Sequence, residues 1–143
     1  MDGAYMTEPS IELTTDPTLA PLRSHHWSAI LTAAEPVYTW TAADFLARLK
    51  QVVQQAGLTV VGELAFTFQP QGISAIVLLE ESHVALHFWT EKGKVTVDIH
   101  VCDFQEDNKP KAEKLAHLLA LEISEAPGQW HYLSLVETQE KTA

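Results

Sequence analysis

The spacing of apolar positions divides the chain into strand-like and helix-like segments that follow one another closely. Residues 23–33 (RSHHWSAILTA) have the composition of a first strand, and a turn is expected at Glu35-Pro36. Thr41 has the form of a helix N-cap, with Asp44 three residues on to complete a capping box. Phe45, Leu49, Val52, Val53 and Ala56 then recur at helical spacing, which predicts a helix over 42–56 with Gly57 just past its end. Residues 58–68 are rich in β-branched and aromatic side chains and predict a strand, closed by the turn signal Gln69-Pro70-Gln71-Gly72. Two further strands are expected at 73–79 and 83–89, separated by Glu80 and Glu81, and Glu91-Lys92-Gly93-Lys94 turns the chain into another at 95–102.

Asn108 and Pro110 open a second helix, whose apolar face is Leu115, Leu118, Leu119 and Ile123 and which Pro127-Gly128 ends. A last strand is expected over 129–136. The order is therefore β-α-β-β-β-β-α-β. Closely spaced strands favour antiparallel hairpins, and two helices suffice to cover only one face of such a sheet. The fold class expected is α+β: a two-layer sandwich, an antiparallel sheet with helices packed on one face. One domain should occupy residues 22–137, between a flexible N-terminal extension (1–21) and a polar tail (138–143).

Period-2 alternation also sorts the reactive side chains. In 95–102, Val95, Val97, Ile99 and Val101 share one face, while Thr96, Asp98, His100 and Cys102 share the other. In 83–89, His83, Ala85, His87 and Trp89 share a face opposite to Val84, Leu86 and Phe88. If the two segments pair as a hairpin, His87, Trp89 and Cys102 are expected to converge on the uncovered side of the sheet. Residue types and spacing leave three readings open there: a Cys–His nucleophile pair, a zinc site drawn from His83, His87, His100 and Cys102, or satisfied structural histidines beside a small buried thiol.

Composition narrows the setting. With 143 residues the chain can bury a substantial core, and 46% apolar and 20% charged residues are ordinary for a globular domain. A formal net charge of −10 without a basic cluster argues against a nucleic-acid partner; an acidic field attracts cationic ligands and is equally the common solubility device of cytosolic proteins. The single cysteine, Cys102, excludes an intrachain disulfide. The N-terminus lacks the features of a signal peptide and no apolar run has the length of a membrane span, so the expected setting is the cytoplasm, with no membrane contact.

One pattern is more specific than any of these. Gly72-Ile73-Ser74, Glu81-Ser82-His83, His87-x-Trp89-x-Glu91 and Asp98-x3-Cys102 occur in that order, and this set resembles the prokaryotic S-adenosylmethionine decarboxylase proenzymes. The likeness is densest over 66–102. Ala75 stands where the family commonly has glycine, Thr90 where it commonly has proline, and residues 25–29 match the family's first strand loosely.

The resemblance implies that the chain cuts itself between Glu81 and Ser82, turning Ser82 into a pyruvoyl group that serves as the cofactor, with no metal. It implies that His87 accepts a proton during processing, that Ser74 positions the ester intermediate, and that Cys102 donates the proton that quenches the substrate carbanion after decarboxylation. The pyruvoyl carbonyl would form a Schiff base with the substrate amine, as pyridoxal phosphate does elsewhere. Phe68 and Trp89 match positions that stack on adenine, and Glu91 matches the carboxylate that holds the ribose hydroxyls. The implied function is decarboxylation of the cationic small molecule S-adenosylmethionine, giving the aminopropyl donor for polyamine synthesis, by a homodimer of cleaved protomers. Two alternatives stand beside it: a decarboxylase of the same fold acting on arginine or ornithine, and an unprocessed relative acting as a partner subunit.

Overall fold

The computed structural model describes residues 20–138; most of the expected N-terminal extension and C-terminal tail lies outside them. Six strands and two α-helices follow in the order β1 (Arg23–Thr32), α1 (Ala42–Gln55), β2 (Val60–Thr67), β3 (Ile73–Leu79), β4 (Ser82–Trp89), β5 (Lys94–Cys102), α2 (Lys109–Ser124) and β6 (His131–Val136). The strands form one sheet in the order β2-β3-β4-β5-β1-β6, with every neighbouring pair antiparallel. Both helices pack on one face, so the two-layer α+β sandwich read from the sequence is the architecture found.

Local chemistry explains the boundaries. Thr41 caps α1 as expected: its side-chain oxygen accepts the Asp44 backbone N–H at 3.1 Å, and the Asp44 carboxylate accepts the Thr41 N–H at 2.9 Å. The turn expected at Glu35-Pro36 is a short 3-10 helix, Glu35–Thr39, and a second one, Thr90–Lys92, separates β4 from β5. Gly93 closes that second turn with φ 65°, and a β-carbon there would collide with the Tyr38 hydroxyl. Only glycine fits. The last strand starts two residues later than the composition suggests, at His131.

The core lies between the helices and one side of the sheet. Val77, Val84, Leu86, Val95, Val97, Ile99 and Val101 meet Phe45, Leu49, Val52 and Val53 of α1 and Leu115, Leu119 and Ile123 of α2, all buried. Leu118, expected on the apolar face of α2, is only half-buried; Ala112, Ala116 and Ala120 take the closest positions, where small side chains let the helix approach the sheet. The other side of the sheet carries no helix, and strand alternation turns Leu64, Phe66, Ile76, Leu78, Ile30, Leu133 and Leu135 toward it, all exposed.

The α1 cap gives a stability prediction. Thr41→Ala removes the acceptor for the Asp44 N–H and should cost about 1 kcal/mol in urea unfolding at neutral pH. The two hydrogen bonds from Thr41, the backbone one foremost, hold the Asp44 carboxyl below its ordinary value. A depressed carboxyl stabilises the fold above the ordinary carboxylate range and loses that contribution as pH falls through its lowered value. Acid unfolding of Asp44→Asn should therefore lose part of the pH dependence seen in the parent chain.

Candidate functional site

The residues singled out from the sequence all lie on or beside the open face, but they fall into two groups. The first gathers where β3 and β4 meet the β2–β3 turn. Phe68, Gln71, Gly72, Ser74, His87, Trp89 and Glu91 line a cavity of about 370 Å³. Ser74 and His87 are cross-strand partners, and the Ser74 hydroxyl lies 2.6 Å from His87 Nδ1. Trp89 Nε1 donates to Thr96 Oγ1 at 3.2 Å, which fixes the indole on this face. Phe68 is held by its backbone N–H, which donates to the Gly72 carbonyl at 2.8 Å. Aromatic faces, one carboxylate and a hydroxyl–imidazole pair suit a cationic or nucleoside-like guest.

The second group lies at the other end of β4. The backbone N–H of Cys102 donates to the Glu81 carbonyl at 2.8 Å, which ties the β3–β4 junction to the end of β5. The Ser82 hydroxyl donates to Cys102 Sγ at 3.3 Å. Ser82 has φ 150°, a backbone region that belongs almost exclusively to glycine, so the Glu81–Ser82 link is strained. Its surroundings hold it there. The Glu80 N–H donates to the Thr59 carbonyl at 2.9 Å, and the Thr59 N–H donates to the Glu81 carboxylate at 3.1 Å.

The expected convergence of His87, Trp89 and Cys102 does not occur within one chain. The face is shared, as alternation indicated, but the antiparallel register sets Ser82 opposite Val101 and His87 opposite Thr96. Five residues of strand therefore separate Ser82 from His87, about 16 Å at strand rise. The zinc combination fails for the same reason, since His87 sits far from His100 and Cys102.

Two features escaped the sequence reading. One is a histidine cluster around Cys102. The rings of His26 and His100 stack at 4.2 Å with an 18° tilt, and His83 meets His100 edge-on at 5.2 Å. His100 Nε2 lies 3.5 Å from Cys102 Sγ, and the Ser24 hydroxyl lies 3.1 Å from His26 Nε2. Burial first, then the nearby His26 and His83, push His100 below the ordinary histidine value. The β1–β5 pairing sets His26 opposite His100 and the β4–β5 pairing sets His83 opposite it from the other side, and no local spacing announces the first.

The other feature is a polar link around the buried His25 on the helix side of the sheet. His25 Nδ1 lies 2.7 Å from the Tyr132 hydroxyl, and its Nε2 lies 2.9 Å from the Asp103 carboxylate, which also accepts the Asn108 N–H. His25, Asp103 and Asp107 place ligand-type atoms within 4.8 Å of one another. Arg23 stands 3.7 Å from Asp103 and already offsets its charge. The link binds β1, β6 and the β5–α2 connection together.

Comparison with known proteins gives this geometry its context. A sequence model of the family described as S-adenosylmethionine decarboxylase matches residues 25–126. The S-adenosylmethionine decarboxylase proenzyme of Archaeoglobus fulgidus is 40% identical over 85 residues, which cover 59% of this chain and 71% of that protein. The proenzyme of Aquifex aeolicus is 41% identical over 59 residues, covering 41% of this chain and 44% of that one. The crystal structure of the adenosylmethionine decarboxylase from Aquifex aeolicus superimposes with a TM-score of 0.65 at 24% identity, covering 87% of this chain and 98% of that chain, and so shares the fold. Among the described residues no helix is long and apolar enough to cross a membrane. A family match over most of the chain, with relatives and fold in agreement, shows that this protein belongs to the S-adenosylmethionine decarboxylase family.

Proposed function

We propose that the chain is a self-processing, pyruvoyl-dependent carboxy-lyase that decarboxylates S-adenosylmethionine and so supplies an aminopropyl donor for polyamine synthesis. The observation that carries this reading is the strained Ser82, φ 150°, directly after a carbonyl held by the Cys102 N–H at 2.8 Å. In the proposed processing, the Ser82 hydroxyl attacks the Glu81 carbonyl carbon while the Cys102 N–H stabilises the developing oxyanion. Relief of backbone strain favours the resulting N→O shift to an ester. Removal of the Ser82 α-proton then expels the Glu81 carboxylate, and hydrolysis of the new N-terminus releases ammonia and leaves a pyruvoyl group. Once formed, that carbonyl supplies an electron sink for substrate decarboxylation.

The chain's own residues take the remaining roles in this reading. His87, with Ser74 at 2.6 Å, accepts the Ser82 α-proton, a task suited to an imidazole near neutral pH. Cys102 delivers a proton to the carbanion, and a free thiol in that role suits the reducing cytoplasm. Phe68 and Trp89 offer stacking faces for adenine, and Glu91 a carboxylate for the ribose hydroxyls, within the 370 Å³ cavity. The scheme calls on no metal. The names of the relatives do not favour the arginine, ornithine or unprocessed-subunit alternatives.

The separation of His87 from Ser82 bears on assembly. A proton acceptor about 16 Å away along the same strand cannot serve Ser82 directly, because proton transfer needs hydrogen-bond distance. Two copies meeting through their open faces would bring Ser74 and His87 of one to Ser82 and Cys102 of the other. The exposed Leu64, Phe66, Ile76, Leu78, Leu133 and Leu135 provide the apolar area for such a contact. The proposed enzyme is therefore a homodimer with sites shared across the interface.

Denaturing mass spectrometry of the purified protein should show two fragments that join at Ser82, and the cleaved protein should release carbon dioxide from S-adenosylmethionine. A single uncut chain after long incubation sinks the processing, and release only from arginine or ornithine sinks the substrate. Ser82→Ala should stay intact and inactive, and Cys102→Ala should lower turnover by about 10²–10⁴-fold. Sharing of the site is tested by coexpression. Ser82→Ala and His87→Ala chains should each remain uncut alone, whereas together the His87→Ala chain should be cleaved with help from its partner's imidazole. No cleavage in the mixture would confine His87 to its own chain and overturn the sharing.

A further inference from the structure

The three clustered histidines take no part in the chemistry just described, yet one of them touches the atom that chemistry depends on. His100 Nε2 lies 3.5 Å from Cys102 Sγ, which receives the Ser82 hydroxyl at 3.3 Å from its other side. His100 is itself enclosed by His26, stacked on its ring from β1 at 4.2 Å, and by His83, edge-on from β4 at 5.2 Å. His26 is in turn anchored to Ser24. Along β5 the titratable neighbours on this face are Cys102 and Asp98; the Asp98 carboxylate already accepts the Ser28 hydroxyl at 2.6 Å.

We propose that His100 is a positioning residue for the Cys102 thiol, holding Sγ toward Ser82 and setting its protonation state, with His26 and His83 as parts of the same device. The proposal rests on the reading of Cys102 as the proton donor. A donor must carry its proton when the carbanion forms. An imidazolium beside a thiol stabilises the thiolate and strips that proton away. An uncharged imidazole with its hydrogen on Nε2 donates to the sulfur and leaves the thiol as the resting form. Two imidazoles pressed against His100 oppose its charging, because a positive ring would lie against rings that also attract protons. The stack thus provides a partner that orients Sγ without ionising it.

The cluster also explains how a spent donor recovers. After Cys102 gives up its proton, the thiolate accepts a hydrogen bond from the His100 N–H at the same 3.5 Å approach. A proton returning from solvent restores the thiol, and none is consumed from the protein.

The test uses the only cysteine of the chain as its own reporter. The rate of Cys102 alkylation by iodoacetamide, followed by mass spectrometry across pH, gives the midpoint of thiol ionisation. His100→Phe keeps a ring in the stack but removes the nitrogen, so the midpoint should rise by roughly one pH unit. His26→Phe keeps the stacking but removes one group opposing His100 protonation, so the midpoint should fall. His100→Gln, whose amide can donate to sulfur, should lie closer to the parent than His100→Phe does. Opposite shifts from two aromatic replacements are not expected of a merely structural cluster. Unchanged midpoints in both phenylalanine variants overturn the proposal, as do shifts of the same sign. If circular dichroism shows one of them unfolded, the sign of the other together with the position of His100→Gln decides. The reading of the activity is judged separately, by cleavage at Ser82 and carbon dioxide release from the parent. Alkylation midpoints compared at the same state of cleavage judge His100 whether or not that activity appears.

Discussion

The backbone ladder between β4 and β5 sets Ser82 opposite Val101 and His87 opposite Thr96, and the chemistry open to this protein follows from those two pairs. Fixing the first pair brings Cys102 to the start of β4, where its N–H holds the Glu81 carbonyl and its sulfur meets the Ser82 hydroxyl. Fixing the second sends His87 to the opposite end of the strand beside Ser74. Register cannot slip by one residue without exchanging faces, which would turn Val84, Leu86, Val97 and Ile99 out of the core. Burial of these four side chains, at about 1.5–3 kcal/mol each, therefore also locks the reactive residues in place.

Strain at Ser82 belongs to the same arrangement. A serine at φ 150° persists only where its surroundings over-determine it. Here the β3–β4 junction is clamped from one side by the Thr59 backbone and from the other by Cys102. One clamp is the last residue of β5 and the other the residue just before β2, so the cost of holding Ser82 is passed to the sheet. The proposed self-cleavage uses a tension that the fold stores at one peptide link.

The two sides of the sheet perform separate tasks. The helix side carries the core and, at its margin, the part-buried polar link of Tyr132, His25 and Asp103, which joins the edge strand to the loop before α2. The open side carries exposed aliphatic residues together with histidines, a thiol and a carboxylate. Apolar area and reactive side chains on one uncovered face are what the proposed shared interface would require, and the 370 Å³ cavity between β3, β4 and the β2–β3 turn opens on that face.

Much of this was legible in the sequence. Helical spacing from Phe45 to Val53, the Thr41–Asp44 cap and the alternation of Val95 through Cys102 are short-range signals, and the structure reproduces them because burial rewards the same periodicities. The family resemblance drew attention to Ser82, a residue that composition passes over. What the sequence could not contain was distance along the sheet. Alternation assigns a face but not an end, so His87 and Cys102 were expected together and lie apart. The pairing of β1 with β5, between segments some seventy residues apart, likewise places His26 on His100 only after the chain has folded. Local periodicity fixes which side a residue takes; the long-range strand register alone decides its neighbours.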